Sequence, residues 1–309
     1  MKRTPVILDC DPGHDDAIAM ILAFAREELD VKAVTVVAGN QTLDKTLHNA
    51  KKILGFLGKH PPVAAGADRP LVRELVTAPD VHGDSGLDGP SIPEPDFREE
   101  PVPAVELLRK TITESPDPVT LVPTGPLTNI ATLLRAYPGV KKNIGRISLM
   151  GGGIETGNWT AAAEFNIFVD PEAADIVFRS GLPITAAPLD VTHKAMIMPE
   201  EVEQLRKTGK KAAVLAAQLI DFYCKSHVFR NFAGPPLHDP CAVAWLAEPG
   251  IFTAKPYHID IELNGALTYG QTVADRRPWT DAAPNALVLT DLDRKAFIKM
   301  LFDACCYYG

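Results

Sequence analysis

The sequence predicts an α/β fold: an open, mostly parallel, doubly wound sheet with helices on both faces, built as a single large domain over residues 1–309. Three observations lead there. Short β-branched runs alternate with longer stretches whose apolar residues recur at three and four spacing, the signature of strand–helix–strand units feeding a parallel sheet. The runs are continuously apolar, as strands buried on both faces are. A length of 309 residues can form one unit, because α/β folds often exceed the usual domain size.

The strands are expected at Val6 to Leu8, Val31 to Val37, Val119 to Val122, Ile147 to Met150 and Ile184 to Ala187. Helical patterns fill the intervals at Asp15 to Arg26, Thr42 to Leu57, Ala104 to Glu114, Leu127 to Ala136 and Pro171 to Ser180. Asp170-Pro171-Glu172 is a start signal, with an N-cap acid, proline at the first helical position and an acid in the first turn. After Pro199 come two further helical patterns, then strand-like runs at Tyr257 to Leu263 and Ala286 to Leu289 that complete and cover the sheet. Gly66 to Glu100, rich in Pro, Gly and Asp, reads as a long loop, and His82-Gly83-Asp84-Ser85-Gly86 gives it groups able to reach a ligand.

Composition narrows the function. Hydrophobic residues make up 46% and charged residues 23%, both ordinary for a soluble folded chain. A net charge of −8 argues against nucleic acid as partner, since that calls for clustered Lys and Arg, and favours a small molecule. No apolar run reaches the ~18 residues of a membrane span, and Val6-Ile7-Leu8 stops at Asp9, too short for an export signal. The five cysteines form no C-x-x-C pair, which fits a reduced cytoplasm.

Asp9-Cys10-Asp11-Pro12-Gly13-His14-Asp15-Asp16 packs four carboxylates into eight residues between a buried strand and a helix. The strand period puts Asp9 and Asp11 on one face, Pro12-Gly13 turns the chain, and Asp15 and Asp16 fall at the helix N-terminus, so the four are expected to converge. Like charges this close oppose folding unless a cation neutralises them. A site of carboxylate oxygens suits calcium or magnesium. Cys10 points to the opposite face and one histidine is too little for zinc, so Cys10 and His14 are set aside. A solvated acidic turn with Asp15 as N-cap is the plainer alternative, but the cluster sits where open α/β sheets bind ligands.

Other strand ends carry polar groups: Asn40, the turn Thr124-Gly125-Pro126, and Met150-Gly151-Gly152-Gly153, where backbone can approach a ligand. That glycine run lacks the G-x-G-x-x-G spacing of a dinucleotide site. Asn158, Glu164 and Asn166 fall in a loop with Trp159 and Phe165, a mixture suited to a sugar. Asp239 reads as the N-cap of a helix over Cys241 to Ala247, beside His238, a residue able to protonate a leaving group. Tyr223, His227 and Asn231, at helical four-residue spacing, line either a pocket or a helix face. A magnesium phosphotransferase is a competing reading, and it should bring extra basic groups to the strand ends.

Taken together, Asp9 to Asp16, Asn40, Thr124-Gly125-Pro126, Asn158, Glu164-Phe165-Asn166 and His238-Asp239-Pro240, in that order, resemble the inosine-uridine-preferring nucleoside hydrolase family across essentially the whole chain. The resemblance implies an enzyme that hydrolyses ribonucleosides to ribose and free base with a water held on Ca2+ and activated by Asp11. It implies metal ligands from Asp11, Asp16, Asp239 and the carbonyl of Thr124. Asp15 and Asn166 would hold the ribose hydroxyls, Asn158 and Glu164 the 5′-hydroxyl, and Asn40 the water, with Met150 also beside the substrate. His238 and then His82 are the candidates for protonating the base. His82 and Gly157-Asn158-Trp159 look like members that prefer uridine and cytidine, with inosine the alternative substrate, and the family implies a homotetramer or homodimer. A nucleoside or sugar sensor that has lost turnover is the other reading, and the presence of Asp11 speaks against it.

Overall fold

The protein is described over residues 3–309 by a computed structural model. Nine strands form one sheet: β1 (Thr4–Cys10), β2 (Leu29–Val36), β3 (Val63–Ala65), β4 (Val119–Pro123), β5 (Ile144–Met150), β6 (Ile184–Ala187), β7 (Phe252–Ile261), β8 (Thr272–Asp275) and β9 (Ala286–Leu292). Their order is β3-β2-β1-β4-β5-β6-β9-β7-β8. The first seven are mutually parallel, and β7 turns antiparallel to β9 and β8. The expected doubly wound α/β domain is therefore present, closed at one edge by an antiparallel extension.

The pleat divides the interior. Val6, Leu8 and Cys10 of β1 join one core with the helix His14–Ala25, while Ile7 joins a second core on the opposite face with Val119 and Leu121 of β4. Helices cover both faces, as the apolar character of the strands requires. Among the described residues no helix is long and apolar enough to cross a membrane.

Strand order reverses direction between β1 and β4, which leaves a crevice at their carboxyl ends, the place where open α/β sheets bind ligands. Asp9 pairs with Pro123 across this seam, and Thr124 N donates to Asp9 O at 2.9 Å. The acidic turn after β1 and the Thr124 turn after β4 are thereby held side by side.

Two short strands, β3 and β8, and the four-residue helix Pro79–His82 inside the long loop were not expected. Glu164 and Asn166 do not lie in an open loop, because Phe165–Val169 is a short helix capped by Glu164. The helix Lys211–Tyr223 stops before His227. His227 and Asn231 fall outside it, so their spacing with Tyr223 has no structural meaning.

A carboxylate-floored cavity at the strand ends

Gly13, which stands at the N-cap position before His14–Ala25 in place of the acid considered there, offers no side-chain cap. Asp16 supplies a carboxylate partner instead, its Oδ2 accepting from Gly13 N at 3.0 Å, and the first turn thus points its acids inward. Asp16 also accepts from Thr124 Oγ1 at 2.7 Å and from Asn40 Nδ2 at 3.2 Å. Asp11 Oδ2 accepts from Asn40 N at 2.7 Å, while its Oδ1 is buried without a partner. Asn40 therefore grips two carboxylates, and its contact is with them.

Oxygens of Asp15, Asp16 and Asp239 all lie within 4.8 Å of one another, every one buried. Burial, followed by neighbouring acids, raises the carboxyls of Asp11 and Asp239 well above the usual range and that of Asp15 to about 7. Asp16 is also raised, chiefly by burial. Four crowded buried acids with one orphaned oxygen fit a hard divalent cation, which would replace the missing solvation. Of the expected ligands, Asp16 and Asp239 lie in this cluster with Asp15, while Asp11 is tied to Asp16 through Asn40 and Thr124 through its hydroxyl. Asp239 occupies the N-cap position of the helix Pro240–Ala247, yet its side chain caps nothing and is left to the cluster.

Asp9 departs from the expected convergence. It faces the second core with Ile7, accepts from Thr35 Oγ1 at 2.5 Å and Asn129 Nδ2 at 2.8 Å, and does not line the cavity.

Above the acids opens a cavity of about 320 Å³ lined by Asp15, Asn40, Thr124, Met150, Asn158, Glu164, Asn166, His238 and Asp239, with His82 also on its wall. Asn166 Nδ2 donates to Thr124 O at 2.8 Å, which leaves its oxygen free to accept. Asn158 Oδ1 accepts from Phe165 N at 2.9 Å, which leaves its amide to donate. Glu164 accepts from the backbone of Asn166, Ile167 and Gly152, and burial raises it to about 7. Among the described residues neither Lys nor Arg lines this cavity, so the basic groups a phosphotransferase would need are not found there.

The histidines differ from expectation. Burial, then His193, lowers His238 to about 3, so its ring is neutral near pH 7 and is not a standing imidazolium acid. His82 is likewise lowered by burial, with Nδ1 accepting from His14 N at 3.2 Å and lying 3.1 Å from His14 Nδ1. His14, set aside from the sequence, thus braces His82 from a position 68 residues away. The sequence marks residues 222–236 as the base-side segment, leaves Tyr223 between pocket and helix face, and does not single out Val228, Phe229 or Phe232, which line the wall with it; it gives no site role to Val81 or His193 beside them. The crowding of aromatics in Phe222 to Phe232 was the available signal.

Residues 6–299 match the family described as inosine-uridine preferring nucleoside hydrolase. The chain belongs to this family. Like its relatives, this nucleoside hydrolase is a ribonucleoside-cleaving enzyme. It is 55% identical over 307 residues to the pyrimidine-specific ribonucleoside hydrolase RihA of Photobacterium profundum, covering 98% of this chain and 99% of that one. The RihA of Escherichia coli K12 is 52% identical over 308 residues, 99% of both chains. Among solved structures, a purine-preferring ribonucleoside hydrolase from Gardnerella vaginalis superposes with a TM-score of 0.91 at 32% identity, covering 98% of each chain. One overall fold thus accompanies relatives of opposite base preference.

Proposed function

We propose that this nucleoside hydrolase cleaves the N-glycosidic bond of pyrimidine ribonucleosides, uridine and cytidine, with Asp11 as general base. The observation that carries the reading is the cavity itself, with crowded acids on its floor, sugar-binding amides at one side and an aromatic and imidazole wall at the other. Identity of 52% and 55% to pyrimidine-specific relatives supports the base preference.

Asp11, Asp16, Asp239 and the Thr124 carbonyl would hold a calcium ion. When bound, that ion supplies positive charge that offsets the carboxylates and makes a neighbouring water more acidic. Asp15 and the free oxygen of Asn166 accept from the ribose hydroxyls, and the Asn158 amide donates to the 5′-oxygen. The Asp11 carboxylate takes a proton from water as the water oxygen bonds to C1′. The C1′–N bond breaks with its electron pair on the base, and positive charge builds on the ribose as in other glycoside cleavages. The surrounding acids stabilise that charge. His238 and His82 stand on the base side as hydrogen-bond donors, and the released base takes its proton from solvent.

Ribose release from uridine, cytidine and inosine by the purified protein, with and without a calcium chelator, tests this. Expected is turnover of uridine and cytidine that disappears on chelation and returns with added calcium. Faster release from inosine refutes the base assignment, and chelator-insensitive release refutes the metal.

A further inference from the structure

Thr192 is fully buried at the end of the short helix Leu189–Thr192, which follows β6. Its hydroxyl lies 2.7 Å from His238 Nδ1, and among the described residues this is its sole side-chain partner. A buried hydroxyl hydrogen goes to whatever acceptor is in reach. If Thr192 instead accepted from an Nδ1–H, its own O–H would be left with none. Nδ1 is therefore the acceptor and the ring hydrogen sits on Nε2. That nitrogen has no protein partner among the described residues, and the ring forms part of the cavity wall.

The two residues are also registered through their backbones. Ile197 N donates to Pro235 O at 3.2 Å and Leu237 N to Ala195 O at 3.0 Å, tying the segment before His238 to the segment after Thr192. The helix carrying Thr192 is fixed in turn, with Leu189 N donating to Gly152 O at 2.8 Å and Asp190 Oδ2 accepting from Ile154 N at 2.8 Å.

We propose that Thr192 is a positioning residue that holds His238 as the Nε2–H tautomer and so presents a hydrogen-bond donor to the departing base. The inference rests on the reading of this cavity as the nucleoside site. As the C1′–N bond breaks, its electron pair spreads over the base ring and its carbonyl oxygen, and a donor preset at that point stabilises the charge without a proton changing hands. The opposite tautomer would present a lone pair to the same oxygen.

Thr192→Val keeps the shape and removes the hydroxyl, whereas Thr192→Ser keeps the hydroxyl. Each is assayed on uridine and on 4-nitrophenyl riboside, whose leaving group is stable as an anion and needs no donor. For Thr192→Val, kcat on uridine should fall roughly 10- to 100-fold, short of the roughly 100- to 1,000-fold cost of deleting a charge-stabilising donor, with KM little moved. The loss on nitrophenyl riboside should be far smaller, and Thr192→Ser should recover most of the uridine rate. Equal losses on both substrates, or a Thr192→Val enzyme as fast as wild type on uridine, overturn the inference. Wild-type enzyme that fails on uridine while cleaving nitrophenyl riboside overturns the nucleoside reading itself, and this inference with it.

Discussion

Replacing Gly125 with alanine measures how closely the Asp11 carboxylate is confined. A Cβ at position 125 would lie 2.4 Å from Asp11 Oδ1, where ordinary contact begins at 3.4 Å. The backbone there is not in the left-handed region, so the conflict is one of space alone. The carboxylate has no slack on its other side, because a Cβ at Gly39 would come within 2.1 Å of Oδ2, which Asn40 N also holds. Asp11 must yield by about 1 Å, and a misplacement of that size can lower the rate about 100-fold. Overpacking of this kind also costs about 1–3 kcal/mol of stability. Steady-state kcat/KM on uridine and urea denaturation read the two effects. Gly139→Ala is the control, since nothing lies within 4 Å of a Cβ there. A Gly125→Ala enzyme with kcat/KM close to wild type would refute the view that Asp11 must stay where it stands.

Asp11→Ala should lower kcat by about 1,000-fold or more while circular dichroism stays native; near-normal turnover would rule Asp11 out as the base. Asn158→Ala should raise KM for uridine about tenfold, the worth of one hydrogen bond, yet barely alter KM for 5′-deoxyuridine. Equal effects on both substrates would remove Asn158 from the 5′-oxygen. Glu164 is raised by burial from its ordinary 4.5 to about 7, so the folded chain holds this proton more tightly than the unfolded one. Its contribution is fully present below about 4.5 and is lost as pH rises through about 7. Wild-type stability should therefore fall relative to Glu164→Gln between about pH 5 and pH 8, and parallel stability curves would contradict this.

Much of the architecture was legible because buried parallel strands and amphipathic helices write different periods into the chain. Ala104–Glu114 and Ile184–Ala187 were read to the residue for that reason. β3 and β8, the two edge strands, have three and four residues and lack the fully buried run that marks the equally short β6. The acids of the site were legible as a local cluster, whereas their fate was decided by distant partners. Asp9 turns to Asn129, 120 residues on, and His14 meets His82 through the fold alone. The state of His238 was hidden too, because burial, which sequence shows poorly at a single histidine, sets it.

The long loop that delivers His82 is fastened through buried groups at one end and through surface contacts at the other. Asn49 Nδ2 donates both to Pro12 O at 3.1 Å and to Ser85 O at 2.9 Å, while His14 Nε2 meets Asp88 O at 2.8 Å. Residues 93–100, by contrast, are exposed or half-buried, and Glu94, Asp96 and Glu99 are held there by surface ion pairs with His48, Lys52, His60 and Lys51, each worth little. The entropy of closing a loop grows slowly with its length. The enzyme should therefore accept a peptide tag inserted at 93–98 with its active site undisturbed, whereas the same tag at 83–88 would unseat His82, which makes the far limb of this loop a place to attach a label or a tether.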